Sequence, residues 1–326
     1  MSSVELLPRA ARLARPSTFR SLVRELQWLT GPPLPPAPPT WELPGSAAAL
    51  TVTWPDRYRH PSQATWVDPV RLGFEGVVAV ERAPAPPERW QAAANVVPFS
   101  VELGGRRLEA AIDYGADSRL QLQLVREFDL VFKMHFLAGG YPSERVVPGG
   151  FVSNRLSLYR YLPRLRSLAD GAPPLADVYG RFGGDKAGDV RRRAVDRLAE
   201  QTVFDFRGGI GRVRQLESLV EAARSRVCLD LPGQGPLCFR LVEYLAIGSA
   251  VVSPPPAARL HVPLEEDRHF VCCKPDFSDL VDVAARLVRD PARVASLRRE
   301  TRAYFDRFLD YRQLARYYLA TCLERL

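Results

Sequence analysis

Arg240 and Glu243 stand three residues apart in the apolar stretch CFRLVEYLAI at 238–247, directly after the loop PGQGP at 232–236. At about 100° per residue, a helix there places Leu241, Val242, Leu245 and Ala246 on one face and the two charged residues together on another. Gly233 and Gly235 let a ligand come close to the backbone, and the helix amino end that follows favours an anion. Glu243 could then accept hydrogen bonds from vicinal hydroxyls while Arg240 meets a phosphate. The alternative use of the pair is a solvated i,i+3 ion pair. An anionic ligand with a hydroxylated neighbour fits a nucleotide sugar.

Two upstream stretches repeat the theme. In VYGRFGGDKAGD at 178–189, Arg181 and Lys186 flank a glycine turn and could converge on one diphosphate, or form a solvated basic loop. In FDFRGGIGRVR at 204–214, Arg207, Gly208 and Gly209 follow an apolar run that reads as a strand ending near 206. The spacing is not G-x-G-x-x-G, so its weight is positional. Three successive strand ends each carry glycine and arginine. In the amino half, Asp113 and Asp117 flank a strand end, and Lys133 and His135 share one strand face. Asp113 and His135 are the catalytic candidates, Asp113 as base, and Lys133 or His135 could meet a substrate phosphate or hydroxyl. An edge strand or a snorkelling stem would explain Lys133 equally. His60, His261 and His269 read as structural. No Ser-His-Asp order, nucleophile elbow or Walker loop occurs.

These residues need a scaffold. Apolar runs at 177–182, 202–206, 226–231, 250–253 and 269–273 alternate with helical periodicities at 187–200, 211–224, 237–247 and 277–289. That alternation predicts an α/β fold whose carboxyl-terminal domain is a doubly wound parallel sheet, with ligand loops at the strands' carboxyl ends. Further helices are expected at 291–307 and 311–325. Strands are expected in ALTVTW, GVVAVE, VVPFSVEL, RLEAAIDYG and DLVFKMHF of the amino half. Residues 3–29 read as helical with a basic face, and GPPLPPAPP at 31–39 as a polyproline spacer. The expected organisation is a helical segment and spacer over 1–40, an acceptor-side domain over 41–153, a linker over 154–176, a nucleotide-sugar domain over 177–308, and a final helix over 309–326 that crosses back.

The 326 residues, 46% hydrophobic and 25% charged, suit two globular domains. Five cysteines without a CxxC pair read as reduced thiols in a cytoplasmic protein. No apolar run reaches the roughly 18–20 residues of a membrane span, and the start lacks a secretory pattern. The net charge of +8 comes almost wholly from arginine. It suits a phosphorylated substrate, or contact of the basic amino-terminal helices with the inner face of a membrane. Without basic runs interleaved with aromatics, nucleic acid is not an expected partner.

On VYGRFGGDK, on the pattern R-x-x-E-x-x-x-x-G within CFRLVEYLAIGSAVVSP, and on HFVCCKPDFSDLVDVAARLVRDPARVASLRRETRAYF, the segment 177–308 resembles the donor-binding domain of GT-B glycosyltransferases. The exostosin-like and lipopolysaccharide-modifying members are similar over its later part. The resemblance implies two Rossmann-like domains facing a cleft. It also implies that Glu243 binds ribose, that Arg181 and Lys186 hold the diphosphate, and that Arg240 lies near the phosphates. Many retaining members carry an acid where this chain has Gly235. The expected activity is metal- and cofactor-independent transfer from a nucleotide-diphospho-sugar to a glycan, lipid-linked or small-molecule acceptor. A catalytically inactive binding protein or a nucleotide-sugar epimerase are the alternatives.

Overall fold

A computed structural model describes residue 23 and residues 25–84, 95–183, 188–233 and 235–326. Lys186 therefore lies outside the described residues, as does most of the basic stretch 3–29.

The protein is α/β, and its strands form two sheets. The amino-terminal sheet contains β1 (Thr51–Pro55), β2 (Ala79–Ala83), β3 (Val96–Leu103), β4 (Arg106–Asp113), β5 (Leu130–Lys133) and β6 (Val146–Pro148), in the order β2-β1-β3-β4-β5-β6. β1 is parallel to β2, and β4, β5 and β6 are mutually parallel. β3 runs antiparallel to β1 and β4. Gly104 and Gly105, at φ 58° and 77°, close the β3–β4 hairpin. A two-residue turn of this hand needs positive φ at both positions.

The sequence reading of strands and turns over 50–115 missed α1 (Ala64–Glu75), the crossover between parallel β1 and β2. Pro69 and Gly73 interrupt its pattern. Val67, Val70 and Phe74 are nonetheless buried beneath it. Gly73 is there for contact: a Cβ would lie 2.4 Å from the Tyr311 carbonyl oxygen and 2.6 Å from Ala315 Cβ. The helix packed there is the last in the chain. α2 (Leu122–Glu127) connects β4 to β5, and α3 (Ser157–Gly171) follows β6 and leads to the second sheet.

The carboxyl-terminal sheet holds β7 (Ala176–Phe182), β8 (Phe206–Ile210), β9 (Ser225–Leu229), β10 (Ala250–Ser253) and β11 (Val271–Cys272). All are parallel, in the order β11-β10-β9-β7-β8. In chain order this is the doubly wound 2-1-3-4-5 arrangement, whose switch point lies between β7 and β9. Its helices are α4 (Gly188–Glu200), α5 (Gln215–Ala223), α6 (Phe239–Ile247) and α7 (Leu280–Val288). Both faces are covered. Val178, Val227, Leu229 and Val252 join Ala194, Leu198, Val283 and Leu287 in one core. Tyr179, Cys228 and Val251 belong to the larger core with Leu219, Leu241 and Leu245. Strands buried on both sides become apolar runs, which is why this half reads clearly.

β8 departs from expectation. It occupies 206–210, so Gly208 and Gly209 lie within the strand and not in a turn beyond it. Gly208 pairs with Gly180, and a Cβ on it would lie 2.0 Å from the Gly180 carbonyl oxygen. The two strands meet backbone to backbone there.

α8 (Pro291–Tyr304) starts on Asp290, whose Oδ1 accepts from the Arg293 amide at 2.9 Å. A π-helical turn at Phe305–Leu309 leads into α9 (Tyr311–Leu323). α9 lies against the amino-terminal sheet. Tyr318 stacks on Phe132 with centroids 3.9 Å apart, and its hydroxyl donates to the Gly149 carbonyl at 2.7 Å. The proline-rich run is strapped to the same helix: Gln313 Nε2 donates to the Ala37 and Pro38 carbonyls at 3.1 and 2.9 Å. Among the described residues no helix is long and apolar enough to cross a membrane.

Candidate functional site

A cleft of about 1230 Å³ lies between the two sheets. Gly183, after β7, and Gly233 and Gly235, after β9, line it, so the switch point of the carboxyl-terminal sheet opens into it. Gly211, after β8, lines it too. The facing wall comes from the amino-terminal sheet: Tyr114 to Arg119 after β4, and His135 after β5.

α6 starts at the edge of this cleft. No side chain caps its amino end, and Leu237, Cys238 and Phe239 line the cleft there. An uncapped helix amino end at the cleft edge favours negative charge there. Arg240 and Glu243 are both buried, so the solvated ion pair is not what they form. Arg240 Nη1 instead reaches Asp230 Oδ1 at 3.3 Å, at the end of β9, and its guanidinium sits 4.8 Å from the Phe182 ring centroid. Burial pushes the Asp230 carboxyl up to about 6 against the pull of Arg240 and Arg191. Arg191 of α4 ties the loops together, donating to the carbonyls of Gly183 at 3.2 Å and Pro232 at 2.9 Å.

Glu243 is held through one oxygen. Its Oε1 accepts from Gln215 Nε2 at 2.6 Å and from Ser153 Oγ at 3.5 Å. Ser157 Oγ in turn donates to Gln215 Oε1 at 3.0 Å, which fixes that amide with its nitrogen toward Glu243. Among the described residues Oε2 receives no hydrogen bond, and Glu243 lines the cleft. Burial pushes its carboxyl up to about 7, against the Gln215 hydrogen bond and the charges of Arg240 and Arg155. A buried carboxylate with one oxygen immobilised and one open is an acceptor for ligand hydroxyls.

Arg181 is placed otherwise than expected. Its Nε and Nη2 donate to Glu221 Oε2 and Oε1 at 2.6 and 3.0 Å, and Arg207 Nε donates to Glu221 Oε1 at 2.8 Å. Burial raises the Glu221 carboxyl, but the two guanidiniums bring it below its ordinary range. Arg181 still lines the cleft, whereas Arg207, Gly208 and Gly209 do not. With two nitrogens of its fork on one carboxylate, Arg181 is a weaker phosphate ligand than Arg240, which among the described residues is bonded to Asp230 and the Leu231 carbonyl through Nη1 alone.

Asp113 and Lys133 are cross-strand neighbours on β4 and β5 and pair with each other at 2.8 Å, each 1% exposed. Asp113 also accepts from the Gly115 amide at 2.9 Å. Neither lines the cleft, so Asp113 is not in reach of an acceptor hydroxyl, nor Lys133 of a substrate phosphate. His135 does line it, but its Nδ1 accepts from the Leu237 amide at 3.4 Å. Burial, with Lys133 nearby, pushes its imidazole down to about 4. A neutral imidazole accepting at Nδ1 carries its proton on Nε2, so it presents a donor to the cleft instead of a base.

Gly235 meets His135 across the cleft. A Cβ there would lie 2.5 Å from His135 Cε1 and 3.0 Å from the Ala116 carbonyl oxygen. The loop after β9 rests on the opposite wall, and no acidic side chain fits at this position. Asp117, ionised and held by Arg119 at 2.6 Å, is an amino-side carboxylate that lines the cleft.

Sequence reasoning missed Gln215, Ser153, Asp230, Glu221 and Arg191. Gln215 opens α5 and Arg191 lies in α4, each at a strand's carboxyl-end crossover, which is the available signal for them. Nothing in local spacing marks Ser153. Among the described residues, no group of three His, Cys, Asp or Glu side chains could hold a metal ion.

No protein-family model matches the chain, and no curated protein matches it. Solved structures similar to it include the crystal structure of HepE from Anabaena in complex with UDP-glucose, at 15% identity and a TM-score of 0.37, covering 62% of this chain and 66% of that one. The same protein in complex with UDP and glucose, and with UDP, is similar at 18% identity and a TM-score of 0.40, covering 63% and 66%. The chain thus spans just under two thirds of the length of these structures.

Proposed function

We propose that the cleft binds a nucleotide-diphospho-sugar and that the protein transfers the sugar to an acceptor hydroxyl. The observation that carries this reading is Glu243, a buried carboxylate with Oε1 fixed by Gln215 and Ser153 and Oε2 open to the cleft, one turn inside an uncapped helix amino end. Oε2 accepts the ribose hydroxyls. The first turn of α6 and Arg240, held by Asp230, face the diphosphate. As the sugar–phosphate bond breaks, negative charge grows on the departing diphosphate. Fixed N–H groups and guanidiniums stabilise it without reorganising. His135 Nε2–H adds a hydrogen-bond donor on the opposite wall, and Asp117 is the candidate to accept the acceptor's proton. No metal or cofactor is required in this scheme.

A thermal-shift screen against nucleotide sugars tests the reading. A ligand at 100 times its dissociation constant adds about 2.7 kcal/mol of stability. Stabilisation by one nucleotide family, with label from its sugar appearing in an added acceptor pool, supports it. No shift with any nucleotide refutes it. Binding without turnover on any acceptor favours a second reading, a non-catalytic nucleotide-sugar binder. The burial of Asp113 against Lys133, which removes one proton acceptor from the cleft, favours that reading.

A further inference from the structure

The short span between β6 and α3 is pinned on both sides of two free side chains. Ser153, fully buried, bonds Glu243, and Ser157 bonds Gln215. Between them Asn154 and Arg155 line the cleft. Asn154 Oδ1 is buried without a hydrogen-bond partner. A hydroxyl admitted beside that oxygen would satisfy it. Arg155 is exposed to the cleft and makes no ion pair or hydrogen bond among the described residues. In this it differs from Arg119, Arg181 and Arg240, which face Asp117, Glu221 and Asp230. A spare planar fork beside an unsatisfied amide, on backbone held at both ends, is preorganised to read an anionic group next to a hydroxyl.

We propose that Asn154 and Arg155 select a second substrate, the acceptor, that carries a carboxylate or phosphate beside a hydroxyl, as on an acidic or phosphorylated sugar. The inference rests on the reading of this cleft as a two-substrate site. Arg155 supplies two parallel N–H donors to the anion, and Asn154 pairs the neighbouring hydroxyl. The diphosphate of the first substrate stays with α6 and Arg240.

Saturation-transfer NMR tests the preference with three soluble probes: methyl β-glucuronide, glucose 6-phosphate and uncharged methyl β-glucoside. Each is titrated with and without UDP. At least one charged sugar is expected to bind tenfold more tightly than the glucoside. Arg155→Ala should erase that difference, and Arg155→Lys, which keeps the charge without the fork, should restore only part of it. Asn154→Ala should weaken the charged sugar severalfold. UDP affinity should change less than threefold in Arg155→Lys and Asn154→Ala, which keep the positive charge near Glu243. Whichever charged probe binds identifies the anion as carboxylate or phosphate. Equal binding of charged and neutral sugars, no binding of either charged sugar, or an undiminished preference in Arg155→Ala overturns the proposal. So does a loss of UDP affinity as large as the loss of sugar affinity in Arg155→Lys or Asn154→Ala, because the two residues would then belong to the nucleotide site. Failure of UDP to bind the wild-type protein counts against the nucleotide-sugar reading, while the sugar preference is measured without UDP.

Discussion

Glu243→Gln should make the protein more stable and less able to bind its ligand. The folded state keeps the Glu243 carboxyl protonated up to about 7, against an ordinary 4.5. The shift is upward, so the unfolded chain releases this proton first as pH rises. Stability therefore falls between about 4.5 and 7, and the full cost stands above 7. At 1.36 kcal/mol per tenfold, that cost is about 3 kcal/mol. Glutamine removes the titration and keeps an amide oxygen to accept from Gln215 and Ser153. At pH 8 the variant should gain about 1–3 kcal/mol, seen as several degrees in the thermal midpoint. Near pH 4.5 the gain should vanish. Nucleoside diphosphate affinity at pH 8 should fall at least tenfold, because a neutral amide is a weaker acceptor for ribose hydroxyls. Thermal unfolding across that pH range and calorimetric titration measure both. A variant that is destabilised equally at pH 8 and pH 4.5 would refute the reasoning, because the charge would then serve the fold and not the ligand.

Three further outcomes are expected. Asp113→Ala should cost roughly 3–5 kcal/mol by leaving Lys133 buried and unpaired, yet leave nucleotide affinity in the folded fraction unchanged; a kinetic defect without a stability loss would restore Asp113 as a base. Gly235→Ala, whose Cβ meets His135 at 2.5 Å, should lower the thermal midpoint and nucleotide affinity together, and His135→Ala in the same chain should recover part of both; no loss in the single variant would mean that the loop does not rest on the opposite wall. Transfer activity should persist in EDTA, since helix amino ends and guanidiniums carry the leaving-group charge in this scheme, and its abolition would show that a metal does so instead.

The carboxyl-terminal half was legible because its strands are buried on both faces and its helices carry an unbroken apolar stripe. Arg240 and Glu243 stood out beside that stripe for the same reason. Their partners were hidden: Asp230, Gln215 and Ser153 come from other crossovers, and only the closed sheet brings them within hydrogen-bond reach. The two glycines of β8 read as a turn, although Gly208 serves a close approach to Gly180 that no local pattern announces. α1 was masked by Pro69 and Gly73, the latter set by α9 from the far end of the chain. Asp113 and Lys133 looked like chemistry because both are charged and lie near strand ends. Their cross-strand register turns them into a neutralised pair. Gly235, read as a missing acid, is a contact point between the two walls.

The most direct test of the nucleotide site compares a ribonucleoside diphosphate with its 2′- and 3′-deoxy analogues in the wild-type protein and in Glu243→Ala, by calorimetry. The base is the one chosen by the thermal-shift screen. If Glu243 Oε2 holds the ribose, removing one hydroxyl costs the wild-type protein about tenfold or more, and Glu243→Ala binds the ribo and deoxy forms equally weakly. Equal affinities in the wild-type protein, or the same discrimination in Glu243→Ala, would contradict the assignment.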